Sequence, residues 1–386
     1  MNSPKVIIIG SHHHNTLGVI RSLGRMGITP FVIMTKVVKD SYILRSKYLS
    51  GHVQLDGSDK VIPYLLQHCI DDSNKPVLIA CHDRISEILD FNRIPLSKHF
   101  FVPGTSNQGL SKLVNKQIMT DLAASVGLNI PSSFVSSSIL DLSALSYPVI
   151  TKPIASKNGS KHDIRIFNSP DSLSIFLRNN SDRTFQIQQY IDKKFEFQLI
   201  GCSVDGGTII IIPGISRLIR TSSGSNTGFL KYSELTSDFD DTVSLTKSFI
   251  KATGYSGLFS VEFLRGKDGS DYFMEMNFRN DGNAICTTNA GANLPYYWVM
   301  SCIGHSTESP VIKHTEYVMP EYNEIGMWMG GALSTRDLRD DFGKVTSYME
   351  YAEDDPQPTR GHLDFRLKLI KATFLRPIYQ LAKWLR

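Results

Sequence analysis

The residues best suited to chemistry lie between positions 256 and 283, where the chain reads SGLFSVEFLRGKDGSDYFMEMNFRNDGN. Two apolar-alternating runs flank Lys267-Asp268-Gly269-Ser270. An Asp-Gly pair between such runs is the strongest short-range hairpin signal, because both central residues of a type I′ turn need positive φ. With Asp268-Gly269 as a two-residue loop, Glu262 falls opposite Glu275 and Ser260 opposite Asn277. Directly opposed side chains share a face with Cβ atoms about 4.5–5.5 Å apart, where like charges repel. Two carboxylates and an amide are hard oxygen donors of the kind Mg²⁺ accepts, so Glu262, Glu275 and Asn277 are the candidate metal ligands. The alternative is a solvated acidic face on an ordinary hairpin, but Phe259, Val261, Phe263, Tyr272, Phe273 and Met274 make the stretch strongly apolar.

Cations and flexible loops form a second group. Lys152 sits inside the apolar run Tyr147-Pro-Val-Ile-Thr-Lys-Pro-Ile154, where a lysine is costly unless it meets an anion. Ser156-Lys-Asn-Gly-Ser-Lys-His162 follows it, a basic loop whose backbone N–H groups could lie against phosphates. Lys112 and Lys116 stand four apart on one side of an amphipathic helix predicted over 107–127, a pattern that also suits a solvated face. Arg217 and Arg220 precede a second Gly/Ser loop, 221–228, and Arg279-Asn-Asp-Gly-Asn283 closes the hairpin. His12-His13-His14 could be a polar loop, a substrate contact or, least favoured by adjacent side chains diverging on a turn, a metal site.

The elements that must position these groups begin with a βαβ unit. Val6–Ile9, a glycine turn, a helix from about Thr16 to Gly27 and a strand over 28–34 predict a parallel sheet. The turn lacks G-x-G-x-x-G, so a dinucleotide site is not expected, although its helix N-terminus could receive an anion. Pro76–Ala80 reads as a further buried strand, Asp83 opens a helix to about Asn92, and Pro103-Gly104 suggests a boundary. Strands are predicted over 185–191, 195–204 and 208–212, then a helix over 240–253 ending at Gly254.

With 386 residues the chain should form two or three packed units. Charged residues at 20%, hydrophobic residues at 41% and a net charge of +4 describe an ordinary globular protein and give no argument for nucleic acid. Five cysteines, odd in number and without C-x-x-C, read as reduced thiols of a cytoplasmic protein rather than a disulfide frame or zinc site. No signal-peptide core or membrane-spanning run is evident. The end of the chain, residues 362–386, is a basic amphipathic stretch interrupted by Pro377; such a tail can lie in a membrane interface or dock on the body.

Lysines, Gly/Ser loops and paired acids together suit a nucleoside triphosphate with Mg²⁺. No G-x-x-x-x-G-K-[ST], H-R-D or D-F-G motif is present, which excludes a P-loop enzyme and counts against a protein kinase. The chain resembles the ATP-grasp superfamily of carboxylate–amine ligases. The motifs that carry the resemblance are Asn115-Lys116, Tyr147-Pro-Val-Ile-Thr-Lys152-Pro, Gln188-Gln-Tyr-Ile191 with Glu196, and Val261-Glu262 followed by Glu275-Met-Asn277-Phe-Arg279. NFRNDGN with Asn-Ala-Gly-Ala-Asn-Leu-Pro295 looks most like the D-aspartate ligase subgroup, which acts on a peptidoglycan precursor.

The resemblance implies a mixed α/β and α+β architecture, with a Rossmann-like unit (1–104), a lid subdomain (105–190), a catalytic subdomain (191–310) and a C-terminal segment (311–386). It implies that Lys116 and Lys152 hold ATP phosphates, with Ser156, Gly159 and Ser160 folding over them. Gln188, Gln189 and Ile191 would edge the adenine, and Glu196 the ribose. Glu262, Glu275 and Asn277 would bind two Mg²⁺, with Mn²⁺ as a substitute, and Arg279, with Arg220, would stabilise the reacting centre. Gln189 departs from the glutamate common at the adenine edge, and the 156–162 loop has one glycine where two or three are usual. The expected partners are a small-molecule carboxylate and amine, with a homodimer left open. A polysaccharide- or peptide-modifying ligase, a non-catalytic ATP-binding regulator and a phosphotransferase remain as alternatives.

Overall fold

The structure, a computed structural model, describes residues 3–71, 73–107, 109–136, 141–153, 164–221 and 227–363. The N-terminal unit is built as expected from βαβ crossovers. Strand β1 (Val6–Gly10) leads through α1 (His14–Gly24) to β2 (Phe31–Met34) and then to β3 (Gly51–Gln54). Helix α2 (Val61–His68), β4 (Val77–Ala80), α3 (Asp83–Phe91) and the short α4 (Arg93–Leu96) complete it. The strands run parallel in the order β3-β2-β1-β4. Ile7, Ile9, Leu78 and Ala80 face α2 and α3, whereas Val6, Ile8, Val77 and Ile79 face a larger core shared with the rest of the chain. Burial on both faces explains why these strands read as unbroken apolar runs.

The boundary at 104 is a clamped joint. Strand β5 (Gly104–Thr105) pairs with Ser256 and Tyr255. The buried Asp90 carboxylate accepts from Thr105 Oγ1 at 2.9 Å and from the Leu110 backbone N–H at 2.9 Å. The amphipathic stretch that follows is two helices, α5 (Leu110–Leu113) and α6 (Lys116–Ser125), and not one. Asn115 breaks it: its side chain accepts from the N–H groups of Gln117 and Ile118 at 3.0 and 3.3 Å, an N-cap. The break puts Lys116 in the first turn of α6.

A small antiparallel sheet comes next. It comprises β6 (Ser133–Val135), β7 (Val149–Pro153), β8 (Arg165–Phe167) and, after α7 (Pro170–Arg178), β9 (Phe185–Gln189). Their order is β6-β9-β7-β8. Its own core of Val149, Phe167, Leu173, Phe176, Phe185 and Ile187 is separate from the others.

The large sheet begins with β10 (Lys193–Val204), β11 (Ile209–Ile211), β12 (Gly214–Thr221) and β13 (Gly228–Glu234). Helix α8 (Asp240–Thr253), closed by Gly254 at φ 64°, leads to β14 (Tyr255–Gly266) and β15 (Asp271–Asn277). The stretch beyond the hairpin, hard to read from sequence, forms α9 (Ile285–Asn289), α10 (Leu294–Cys302), β16 (Glu316–Met319), α11 (Glu321–Met329), α12 (Thr335–Phe342) and β17 (Ser347–Tyr348). The path is β15-β14-β10-β12-β13-β16-β17. The sheet therefore crosses the expected division at 310, because β16 takes the free edge of β13. One face carries Phe197, Val261 and Phe263 against Phe249 and Ile250 of α8. The other carries Ile200, Cys202 and Leu258, packed with Leu294 and Trp298 of α10 against β1 and α1.

Residues 350–355 are fastened back onto α1. Buried Arg21 donates through Nε to Asp355 Oδ2 at 3.1 Å and through Nη1 to the Glu350 carbonyl at 2.7 Å. Asp355 also accepts from Ser46 Oγ at 2.7 Å and the Lys47 N–H at 3.1 Å. All five cysteines are free. No helix among the described residues is long and apolar enough to cross a membrane, and residues 364–386 of the basic tail lie outside the described residues. Removing one partner of a buried ion pair leaves an uncompensated charge. Asp355→Ala should therefore lower the unfolding free energy by roughly 3–5 kcal/mol in denaturant titrations, and a change below about 1 kcal/mol would refute the assigned role of this pair.

Candidate active site

Glu262 stands opposite Glu275, and Ser260 opposite Asn277, on β14 and β15. The register matches the sequence expectation, but the route to it does not. Gly266 N–H donates to the Ser270 carbonyl at 2.8 Å and Gly269 N–H to the Gly266 carbonyl at 3.1 Å. The loop is thus three residues, Lys267 to Gly269, with only Gly269 at positive φ (87°), rather than a two-residue type I′ turn. That loop pairs Phe263 with Phe273, and a bulge between Glu262 and Phe263 absorbs Met274 and restores the register at the acids.

The pair is electrostatically uncomfortable without a counter-charge. Burial, then the Glu275 charge, then Asp281 push the Glu262 carboxyl up to about 8. Two amides support it: Gln198 Nε2 and Asn277 Nδ2 each donate to Glu262 Oε1 at 3.2 Å. Gln198 is buried directly across from Glu262 on β10, and its own Oε1 accepts from Asn283 Nδ2 at 2.8 Å. No motif marks Gln198, whose only sequence signal is a polar residue in an otherwise apolar strand, and the polar loop that contains Asn283 gives no sign that it reaches Gln198.

Facing the acids is a pair of cations. Lys152 on β7 donates from Nζ to Gln188 Oε1 at 2.7 Å. Burial, then repulsion from Lys116, lower its pKa to about 8, with Glu275 partly offsetting them. Both lysines, Gln188, Gln189, Ile191, Glu196, Glu262 and Glu275 line one cavity of about 590 Å³ between the small sheet and the large one. Ile150 and Ile166 form one apolar wall, Leu264 and Met274 the other. Glu196 forms an ion pair with Lys193. The expected loop residues Ser156, Gly159 and Ser160 lie outside the described residues.

Arg279 is brought to the edge of this cluster. It donates to Asn277 Oδ1 at 3.2 Å, Asp83 Oδ1 at 3.0 Å and Asp281 Oδ2 at 3.1 Å. Burial alone would lower its pKa, but Asp281 and Asp83 outweigh that and raise it. Arg220 is not brought there. Its Nη1 is held by Glu324 at 2.8 Å and Asp341 at 2.6 Å, acids of α11 and α12 that sequence spacing could not place beside it.

Of the three histidines only His12 turns away; the His13 and His14 rings pack with their centres 3.9 Å apart, against the expectation that adjacent side chains on the turn diverge. His12 Nδ1 meets Ser41 Oγ at 2.8 Å, and His13 caps α1 by accepting the Asn15 N–H at 3.2 Å. His14 is buried. Among the described residues no group of three or more His, Cys, Asp or Glu converges as a metal site. His13 nevertheless lies near Arg279: burial, then the Arg279 charge, lower its pKa, and Asp281 opposes them. Asn15 ties the two loops together by donating to the carbonyls of Asn280 at 2.7 Å and Cys81 at 2.9 Å.

The donor set fits a hard divalent cation: two facing carboxylates, one of them pushed up by burial and by its neighbour's charge, with the Asn277 amide beside them. The cationic pair fits a polyphosphate anion. Raising the pH from about 7 to about 9 removes the Lys152 charge, so affinity for metal-free ADP should fall over that interval in calorimetric titrations. In Lys152→Met the affinity should be lower and that fall absent; an equal fall would contradict the assignment. Supporting groups behind metal ligands typically change affinity about 10–100-fold. Gln198→Leu should accordingly weaken Mn²⁺ binding, followed by electron paramagnetic resonance, by at least about tenfold.

No protein-family model matches the chain, and no curated protein sequence matches it. Solved structures do. An L-amino acid ligase from Bacillus licheniformis superposes with TM-score 0.59 at 17% identity, covering 78% of this chain and 75% of that one. N5-carboxyaminoimidazole synthetase from Staphylococcus aureus gives 0.63 at 15%, covering 82% and 83%. The biotin carboxylase domain of Hydrogenobacter thermophilus 2-oxoglutarate carboxylase, solved with MgADP, ADP and bicarbonate, gives 0.62 at 16%, covering 82% and 74%. At these identities the likeness speaks to architecture, and with the strand order above it is decisive there: the chain has an N-terminal parallel α/β unit followed by an ATP-grasp fold.

Proposed function

We propose that this protein is an ATP- and Mg²⁺-dependent ligase that joins a carboxylate to an amine. The observation that carries the reading is the opposition, across one cavity, of the acids Glu262 and Glu275 to the lysines Lys116 and Lys152. A triphosphate with its metal supplies the missing charge to both sides at once. Lys116 and Lys152 hold the phosphates; Ile150, Ile166, Leu264 and Met274 sandwich the base, with Gln188, Gln189 and Ile191 along its edge and Glu196 at the ribose. Glu262, Glu275 and Asn277 hold Mg²⁺, which when bound withdraws charge from the phosphate oxygens. The MgADP and ADP complexes among the structural relatives support this choice of ligand.

The chemistry proceeds in two displacements. A carboxylate oxygen of the substrate attacks the γ-phosphorus, and ADP leaves. The amine nitrogen then attacks the acyl carbon, phosphate leaves with the C–O electron pair, and the nitrogen gives up a proton. Arg279, oriented by Asp83 and Asp281, neutralises the oxygen charge that develops in both steps. Its acid partners keep it charged over the whole working pH range.

An amino acid is the favoured carboxylate, with D-aspartate first among candidates on the resemblance of residues 277–283 and 289–295. Two of those residues have internal duties: Asn280 is engaged by Asn15, and Asn283 by Gln198. His13, beside Arg279, is then a neighbour that can bear on substrate choice. A screen of D- and L-amino acids against amines should find phosphate release that requires both partners. Nucleotide binding without turnover would favour a regulator, and ADP without phosphate a phosphotransferase. Glu275→Gln should lower metal-dependent turnover at least ~10²-fold; near-normal activity would remove the basis of the proposal.

A further inference from the structure

Phe197, Arg217, Lys231 and Tyr317 lie side by side across β10, β12, β13 and β16, so they share one face of the large sheet. Phe197 belongs to the core under α8. The face is therefore the one turned away from Gln198 and Glu262. Beyond the helix it opens into a groove of about 550 Å³ whose lining includes Lys193, Lys194, Arg217, Arg220 and Lys231, with Glu196 as its one acid among the described residues.

Arg217 and Lys231 are directly opposed on neighbouring strands, a placement in which like charges destabilise a sheet. The nearby acids are already engaged: Glu196 by Lys193, and Glu324 and Asp341 by Arg220. Among the described residues no carboxylate pairs with Arg217, Lys194 or Lys231. Aromatic rings steady the two facing cations without neutralising them. The Arg217 guanidinium lies 4.0 Å from the Phe195 ring centre, and Lys231 Nζ lies 5.9 Å from that of Tyr317.

We propose that this groove is a second anion site, which takes a phosphate-bearing soluble ligand bridging Arg217 and Lys231. A guanidinium offers a planar fork of donors to phosphate oxygens, and an ammonium adds a compact charge. A concave groove suits a small phosphoester or the phosphorylated end of a larger molecule better than it suits a flat bilayer. Lys193, Glu196 and Leu218 line both this groove and the cavity of the active site, so an occupant would bear on the Lys193–Glu196 pair. The site does not depend on the ligase reading, because neither of its bridging cations belongs to that cavity.

The test is calorimetric titration of the full Lys152→Met chain with inorganic pyrophosphate, without added metal and without nucleotide, so that the active-site cations are weakened and no other phosphate competes for the groove. One pyrophosphate should bind at the groove per chain, more weakly as salt is raised. The double variant Arg217→Ser, Lys231→Thr should lose at least about tenfold in that affinity while its ADP affinity stays unchanged. Lys194→Gln, in the same lining but outside the facing pair, should lose about two- to threefold, and it serves if the double variant fails to fold. No pyrophosphate binding, or equal affinity in the double variant, overturns the proposal. Sedimentation with phosphatidylserine vesicles that needs Arg217 and Lys231, without pyrophosphate binding, overturns it in favour of a membrane surface.

Discussion

Two carboxyl groups held side by side by a hydrogen-bonded ladder cannot move apart without breaking the ladder. That constraint organises the centre of this protein. The β14–β15 register fixes Glu262 against Glu275, the apolar core behind them resists any slip, and burial, with the Glu275 charge added to it, pushes the Glu262 carboxyl up. Across the cavity the sign is reversed, where burial and then the Lys116 charge lower the basicity of Lys152. Each half of the site is unfavourable alone, and each is what the other half's ligand needs. Like charges held in register by the fold are a form of preorganisation: the groups stand in place before a counter-charge binds.

The acid register, the half-buried Lys152 in its apolar strand and the opening parallel unit were all legible in the sequence, because each is set by residues close together or by simple alternation. Asp-Gly fixed the place of the turn but not its type. The bulge at Met274 depends on how Phe263 and Phe273 pack under α8, which no local pattern encodes. The 107–127 stretch was periodic throughout, so its break at Asn115 was hidden: asparagine acts there through a cap, not through hydrophobicity. Arg220 looked available because its partners lie more than a hundred positions away on α11 and α12. Gln198 and Asn283 escaped notice for the same reason. Their roles exist only when β10 lies beside β14.

The N-terminal unit contributes to the site through its turns rather than its sheet. Asp83, at the start of α3, orients Arg279, and His13, at the cap of α1, faces the same guanidinium. The Asn15 amide bridges from this unit to the loop after the hairpin. These contacts need the two units in fixed register. Asp90 at the joint, α10 between the sheets and the Arg21–Asp355 clasp supply it.

The separate core of the small sheet has a consequence for how the molecule comes apart. The parallel unit and the large sheet share one continuous apolar interior, including Ile8, Leu258 and Trp298, so neither can melt without exposing the other's surface. Among the described residues the small sheet shares no such interior, and six side chains make up its buried core. It is the part of the molecule with the least to lose by opening, and native-state hydrogen exchange should find it a distinct, weaker cooperative unit. The cover of the cavity is thus free to breathe while its floor, with the acids in register, stays folded.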